Sequence, residues 1–163
     1  MSSALKKSSR GRPQTLDRNH VLKVAMENYW AKGSSAVSIN EICKLAGVSK
    51  PGLYREFGNE DAFKKVVLTH YEEVNLLYVY EMLKNKKPLK ELISLIIDYF
   101  STDREELELP YGCMHNDMYM LRDHLGPLAK EKTDNISNKM FNLFEELFKN
   151  AKAKDELNSN ISA

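Results

Sequence analysis

The chain has 163 residues, 42% hydrophobic and 29% charged, with a net charge of +1. That composition is ordinary for a soluble globular protein of one large or two small domains. It excludes a membrane-spanning chain, because no apolar run approaches the roughly 18 residues a bilayer needs. The two cysteines, Cys43 and Cys113, lie far apart and show no metal-finger or disulfide-framework spacing. The basic start lacks the apolar run of a signal peptide, so a reducing cytoplasm is the expected compartment. The charge is uneven: residues 1–60 hold ten Lys/Arg against five Asp/Glu, and residues 61–163 hold fourteen against eighteen. A basic module joined to a slightly acidic one is the reading this favours.

Residues 1–15 carry Lys6, Lys7, Arg10 and Arg12 with Gly11 and Pro13 as breakers, and read as a flexible basic arm. A first helix is expected from about Asp17 to Lys32, capped by Thr15 or Asp17, striped by Leu22, Ala25, Met26 and Tyr29, and ended by Gly33. Its expected job is to brace the next two helices.

Residues 38–57 contain two helix starts around one turn. Ser38 and Glu41 have the spacing of a capping box, in which each side chain satisfies a free backbone N–H. Ile39, Ile42, Cys43 and Ala46 form an apolar stripe, and Gly47 suits a residue at positive φ. Ser49 is a good cap for a second helix, and Pro51 is tolerated in its first turn. Leu53 and Phe57 share one face, which leaves Lys50, Tyr54 and Arg55 to point elsewhere. Two short helices around a glycine turn, the second polar and basic outward, have the layout of a DNA-reading helix-turn-helix.

Asn59 is expected to cap a fourth helix with Glu60 and Asp61 at its positive end. Phe63, Val66, Val67, His70, Val74 and Leu77 keep helical spacing, and the pattern continues to Leu83, a helix of roughly 24 residues or about 36 Å. After a break at Asn85 to Pro88, residues 89–100 are apolar nearly all round, which predicts a central position. An acidic connector, Asp103 to Glu108, leads to Pro110-Tyr111-Gly112. Met114, Met118, Leu121 and Leu125 stripe another helix, closed by Gly126-Pro127. A last helix is expected from about Leu128 to Lys152, and then a frayed end from Lys154 to Ala163. No strand pattern or repeat is present, so the predicted fold is all-α.

Residues 12–71 resemble the DNA-binding head of the tetracycline-repressor (TetR-type) family of bacterial transcription regulators. The matching stretches are Arg12-Pro13, Ala46-Gly47-Val48-Ser49, Lys50-Pro51-Gly52-Leu53-Tyr54 and Phe57 leading into Asn59-Glu60-Asp61. Pro110-Tyr111-Gly112-Cys113 resembles the Gly-Cys step opening a body helix in many members. The resemblance implies a flexible arm (1–15), a head (16–71) and a helical effector-binding and dimerisation body (72–163). It implies a repressor that binds a palindromic double-stranded DNA operator as a homodimer and responds to a small-molecule effector. In the family, positions matching Ser38 and Ser49 meet phosphate, while Lys50, Pro51, Gly52, Tyr54 and Arg55 face groove and backbone. Arg55 or Lys50 is assigned to base reading and Tyr54 to phosphate.

Two departures bear on that reading. Glu60 stands where the family often has a phosphate-gripping lysine, with Lys64 or Lys65 as compensating candidates one turn on. The chain also stops where the family usually has two further, dimer-forming helices. Cys43 replaces the usual alanine and is expected to pack. Two other readings share these features: a truncated or degenerate regulator without a working dimer surface, and a helical small-molecule-binding protein with no DNA role.

Tyr78, Met82, Tyr99, Phe100, Met114 and Met118 are the candidate lining of an apolar effector pocket, with Tyr119 and Met120 nearby. Cys113, His115, Asp117 and His124 are close in sequence but are assigned to packing and surface, so no metal or other cofactor is expected. The chain has no GxSxG, HExxH or phosphate-cradling glycine loop, and no enzyme activity is expected.

Overall fold

A computed structural model describes residues 16–101 and 112–157, with the Phe100 side chain outside the description. The expected basic arm, the acidic connector, the Pro110-Tyr111 step and the last six residues of the expected frayed end lie outside the described residues. Among the described residues the fold is helical, without strands: α1 (Arg18–Lys32), α2 (Ile39–Leu45), α3 (Lys50–Phe57), α4 (Glu60–Tyr71), α5 (Leu77–Leu83), α6 (Leu89–Ser101), α7 (Met114–Met120) and α8 (Pro127–Ala153). A π-helical turn (Glu72–Leu76) joins α4 to α5, and a 3₁₀ turn (Arg122–His124) comes after α7.

The first three helices start where the caps predict. Asp17 accepts from the His20 N–H at 3.1 Å and opens α1, and Gly33, at φ +87°, ends it. Val21, Leu22, Ala25, Met26 and Tyr29 bury the inner face of α1 against α2 and α4. Trp30 meets Tyr71 edge-on at 5.2 Å and donates its Nε1–H to the Gly112 carbonyl at 2.9 Å, tying α1 to the entry of α7.

The chain from Glu60 to Leu83 is helical throughout, but the π-helical turn interrupts the expected straight run. An extra residue in one turn rotates everything after it relative to the 3.6-residue stripe. The stripe of Phe63 and Val67 is buried as predicted, whereas Val74 (58% exposed) and Leu77 face outward. Leu76, Val79, Tyr80 and Leu83 take their places inside.

Helix α6 is not central, contrary to its all-round apolar pattern. Leu89 and Leu92 are buried, but Ile93, Leu95 and Ile97 (57% exposed) are not, because α6 packs along one stripe against α5 and α8. Helix α7 stops at Met120, and Leu121 opens the 3₁₀ turn instead of continuing the stripe. The long α8 runs beside α4 in the same direction, the most extensive helix pair in the fold. One apolar core joins α1 to α4 with Met114, Met118 and Ile136, and a smaller one unites Val79, Leu83, Leu89, Leu92, Leu147 and Ala151.

Candidate nucleic-acid interface

Ser38 and Ser49 each accept a backbone N–H with Oγ, Ser38 from Glu41 and Ser49 from Gly52, both at 3.2 Å. Accepting with a lone pair leaves each hydroxyl proton free to donate outward. The other half of the expected capping box is absent: the Glu41 carboxylate turns to Lys32 Nζ at 3.1 Å instead. Gly47 takes φ +66°, and the Val48 N–H returns to the Cys43 carbonyl at 2.9 Å. A side chain at that φ would be strained, so the glycine sets the angle between α2 and α3.

Helix α3 is only eight residues long and is held by two buried side chains, Leu53 and Phe57. Phe57 stacks edge-to-face on Phe63 of α4 at 5.0 Å. With that face committed, Lys50, Pro51 and Arg55 are exposed, and Gly52 and Tyr54 half-exposed. Lys50 Nζ sits 5.5 Å from the Tyr54 ring centre, so the two form one surface unit a helical turn apart.

The electrostatics separate this surface from the rest of residues 16–71. Arg18, Lys23, Lys32, Lys64 and Lys65 each pair with a carboxylate, respectively Glu56, Glu27, Glu41, Glu60 and Glu131. Lys44, Lys50 and Arg55 have no carboxylate partner among the described residues, and all three lie on α2 and α3. Sequence spacing does not single out Lys44, because Glu41, three residues earlier, reads as its natural helix partner. Both candidate compensating lysines of α4 face a carboxylate: Lys64 is bound to Glu60 at 3.0 Å and Lys65 faces Glu131 at 3.9 Å.

Beneath the surface, burial pushes the Cys43 thiol up, with the Lys50 charge opposing it, so Cys43 stays a neutral packing group. Burial and the Glu60 charge also push up Tyr29, whose buried hydroxyl has no hydrogen-bond partner among the described residues.

Residues 21–63 match the family model described as bacterial regulatory proteins, tetR family. That segment is of the TetR type. The chain is 30% identical over 128 residues to the HTH-type transcriptional repressor ComR of Escherichia coli (strain K12), covering 76% of this chain and 60% of that one. It is 29% identical over 90 residues to the repressor BdcR of the same organism, covering 54% and 46%. The match thus spans less than two thirds of the length of either relative. Two solved structures share the fold: regulatory protein TetR from Rhodobacter sphaeroides (TM-score 0.72, 19% identity, 90% of this chain and 78% of that one) and reduced E. coli NemR (TM-score 0.66, 18%, 84% and 71%).

The candidate effector residues are not gathered around one described cavity. Met114 and Met118 are fully buried in the main core, and Met82 is buried in α5. Tyr78, rotated outward by the π-helical turn, is 63% exposed with its ring 5.3 Å from that of Tyr99. The Phe100 side chain lies outside the described residues. A groove of about 280 Å³ lies instead at the far end of the body, floored by Leu83, Leu89, Leu143 and Leu147. His115 Nε2 is 3.0 Å from the Thr133 carbonyl and 3.1 Å from Ser137 Oγ, so its ring is engaged in packing α7 on α8. No helix among the described residues is long and apolar enough to cross a membrane.

Proposed function

We propose that this chain is a cytoplasmic DNA-binding transcriptional regulator, a repressor whose head, residues 16–71, reads double-stranded operator DNA through α2 and α3. One observation carries the reading. The three cations of residues 16–71 without a carboxylate partner among the described residues all lie on the helix-turn-helix. Cations left free on one surface are available to displace counterions from phosphate. The names of ComR and BdcR as repressors support the same reading.

In this reading Ser38, Ser49 and Tyr54 donate to phosphate, Lys50 and Arg55 reach base edges, and Pro51 and Gly52 bring the start of α3 close to the backbone. Residues 72–163 form the body, through which the chain pairs with a second copy so that two heads meet a palindrome. Half-sites of such a palindrome lie about 34–36 Å apart, one helical turn. A small molecule in the body governs the heads, and the distal groove is close to the lower end of ligand-pocket size.

The test is binding to a duplex recovered by the chain from a randomised pool, measured by fluorescence anisotropy across salt. Affinity is expected to fall steeply with salt. Tyr54→Phe is expected to weaken all sequences about equally, and Arg55→Ala to relax preference at one base pair. A salt-independent affinity, or the reverse pattern of the two variants, would sink the assignment.

A further inference from the structure

Asp61 reads in sequence as an acid in the first turn of its own helix. Its carboxylate serves another helix. Oδ2 accepts from the Leu128 N–H and Oδ1 from the Ala129 N–H, each at 2.9 Å. These are first-turn donors of α8, which have no partner inside their helix. Gly126, the residue before α8, supplies no side-chain cap. The 27-residue α8 is therefore capped by a carboxylate from the start of α4, 67 residues before Leu128. A charged acceptor shared by two N–H groups at the positive end of a helix is among the stronger joints available.

Gly126 shows the joint from the other side. Its φ of −67° and ψ of 165° suit any residue, so the backbone does not call for glycine. Space does. A Cβ there would lie 2.5 Å from Asp61 Oδ1 and 2.7 Å from Oδ2, and closer still to Cγ. The absence of a side chain at position 126 is what lets the carboxylate reach α8. Further along, Lys65 faces Glu131 and Glu72 binds Lys139, in the same register.

Two residues past Asp61, Phe63 packs on Phe57 of α3. We propose that Asp61 and Gly126 form a latch between body and head, and that Asp61 is a positioning residue fixing the direction in which α3 is presented. A displacement of the first turn of α8 is then passed to the start of α4 and on to α3. This deepens the DNA-binding reading and rests on it.

The test uses the full chain and three variants, Asp61→Ala, Gly126→Ala and the double variant. Amide exchange at Leu128 and Ala129 is expected to be about tenfold faster in each single variant. The double variant is expected to be no faster than either, since both remove the same contact. Unchanged exchange, or additive effects, would overturn the latch. Each protein is then used to select duplexes from a pool of palindromes with variable spacing, with thermal unfolding measured alongside. The wild type is expected to select one dominant spacing, and the single variants to spread over at least the neighbouring ones. Faster exchange or a lower melting temperature with an unbroadened spacing overturns the positioning role. A wild-type selection with no fixed spacing overturns it too. If the wild type selects no duplex, the DNA reading fails and the positioning role with it, while exchange still decides whether the latch exists.

Discussion

Replacing Glu72 by glutamine tests how α4 and α8 are held together. Glu72 is buried at the start of the π-helical turn and accepts from the Tyr80 hydroxyl at 3.0 Å, Lys139 Nζ at 3.0 Å and Lys132 Nζ at 2.5 Å. Burial alone would raise its carboxyl pKa. The bonds from Lys132, Lys139 and Tyr80 more than offset that and hold it below the usual carboxylate range. Breaking one partner of a buried pair costs about 3–5 kcal/mol, because the remaining charge is stranded. Here the Lys139 side chain is 46% exposed and can turn to water, whereas the Lys132 side chain, at 17%, cannot do so fully. The expected loss for Glu72→Gln is therefore about 2 kcal/mol, below that range. For a chain of this length it lowers the melting temperature by about 4–8 °C. A carboxyl depressed in the folded state adds stability above its unfolded pKa, and that stability is lost as pH falls through the folded value. Scanning calorimetry of both proteins should therefore show the widest gap near neutral pH, narrowing in acid. A gap under about 1 °C at neutral pH, or one that widens in acid, would refute the reasoning.

The head yields two further predictions. Leu53→Ala removes one of the two side chains that hold α3, and should cost about 2–5 kcal/mol of stability, read by denaturant unfolding. A cost below about 1 kcal/mol would mean that α3 is held elsewhere. Glu60→Gln releases Lys64 from its partner and removes a negative charge, so it should strengthen duplex binding and steepen the salt slope by about 1. An unchanged slope would show that the start of α4 does not face the phosphates.

The head is legible in sequence because its information is local. A cap three residues from its acceptor, a glycine at a forced positive φ and an apolar pair four apart can each be read without knowing what the helix packs on. Asp17, Ser38, Ser49 and Asn59 all cap where their spacing says. The departures have a different origin. The capping-box spacing pairs Glu41 with its own helix start, and the resemblance offers Lys64 as a compensating phosphate contact, yet Glu41 takes Lys32 and Lys64 takes Glu60, its i,i+4 neighbour. Sequence spacing cannot say which of two possible partners a charge takes. Tyr78 is predicted inside only if a period of 3.6 is carried through a turn that does not keep it.

That turn also explains why a carboxylate can sit within the stack. Continuing α4 unbroken would keep Val74 and Leu77 on the inner stripe. The wider turn brings Glu72, Leu76 and Tyr80 inward together, and the buried acid is met by two lysines of α8. The cation of Lys139 also lies 4.1 Å from the Tyr80 ring centre. The cost of burying Glu72 is thus recovered only if α8 lies in one register on α4. Asp61 demands that same register from the other end, with its two bonds to the first turn of α8. Apolar stripes alone tolerate small slides between helices, whereas two acids on one helical run, each needing particular N–H groups, do not. The polar contacts between these helices therefore select the alignment rather than supply most of its stability. A variant that replaces Glu72, Lys132 and Lys139 together with apolar residues should keep the fold while loosening that alignment, which amide exchange along α8 would read.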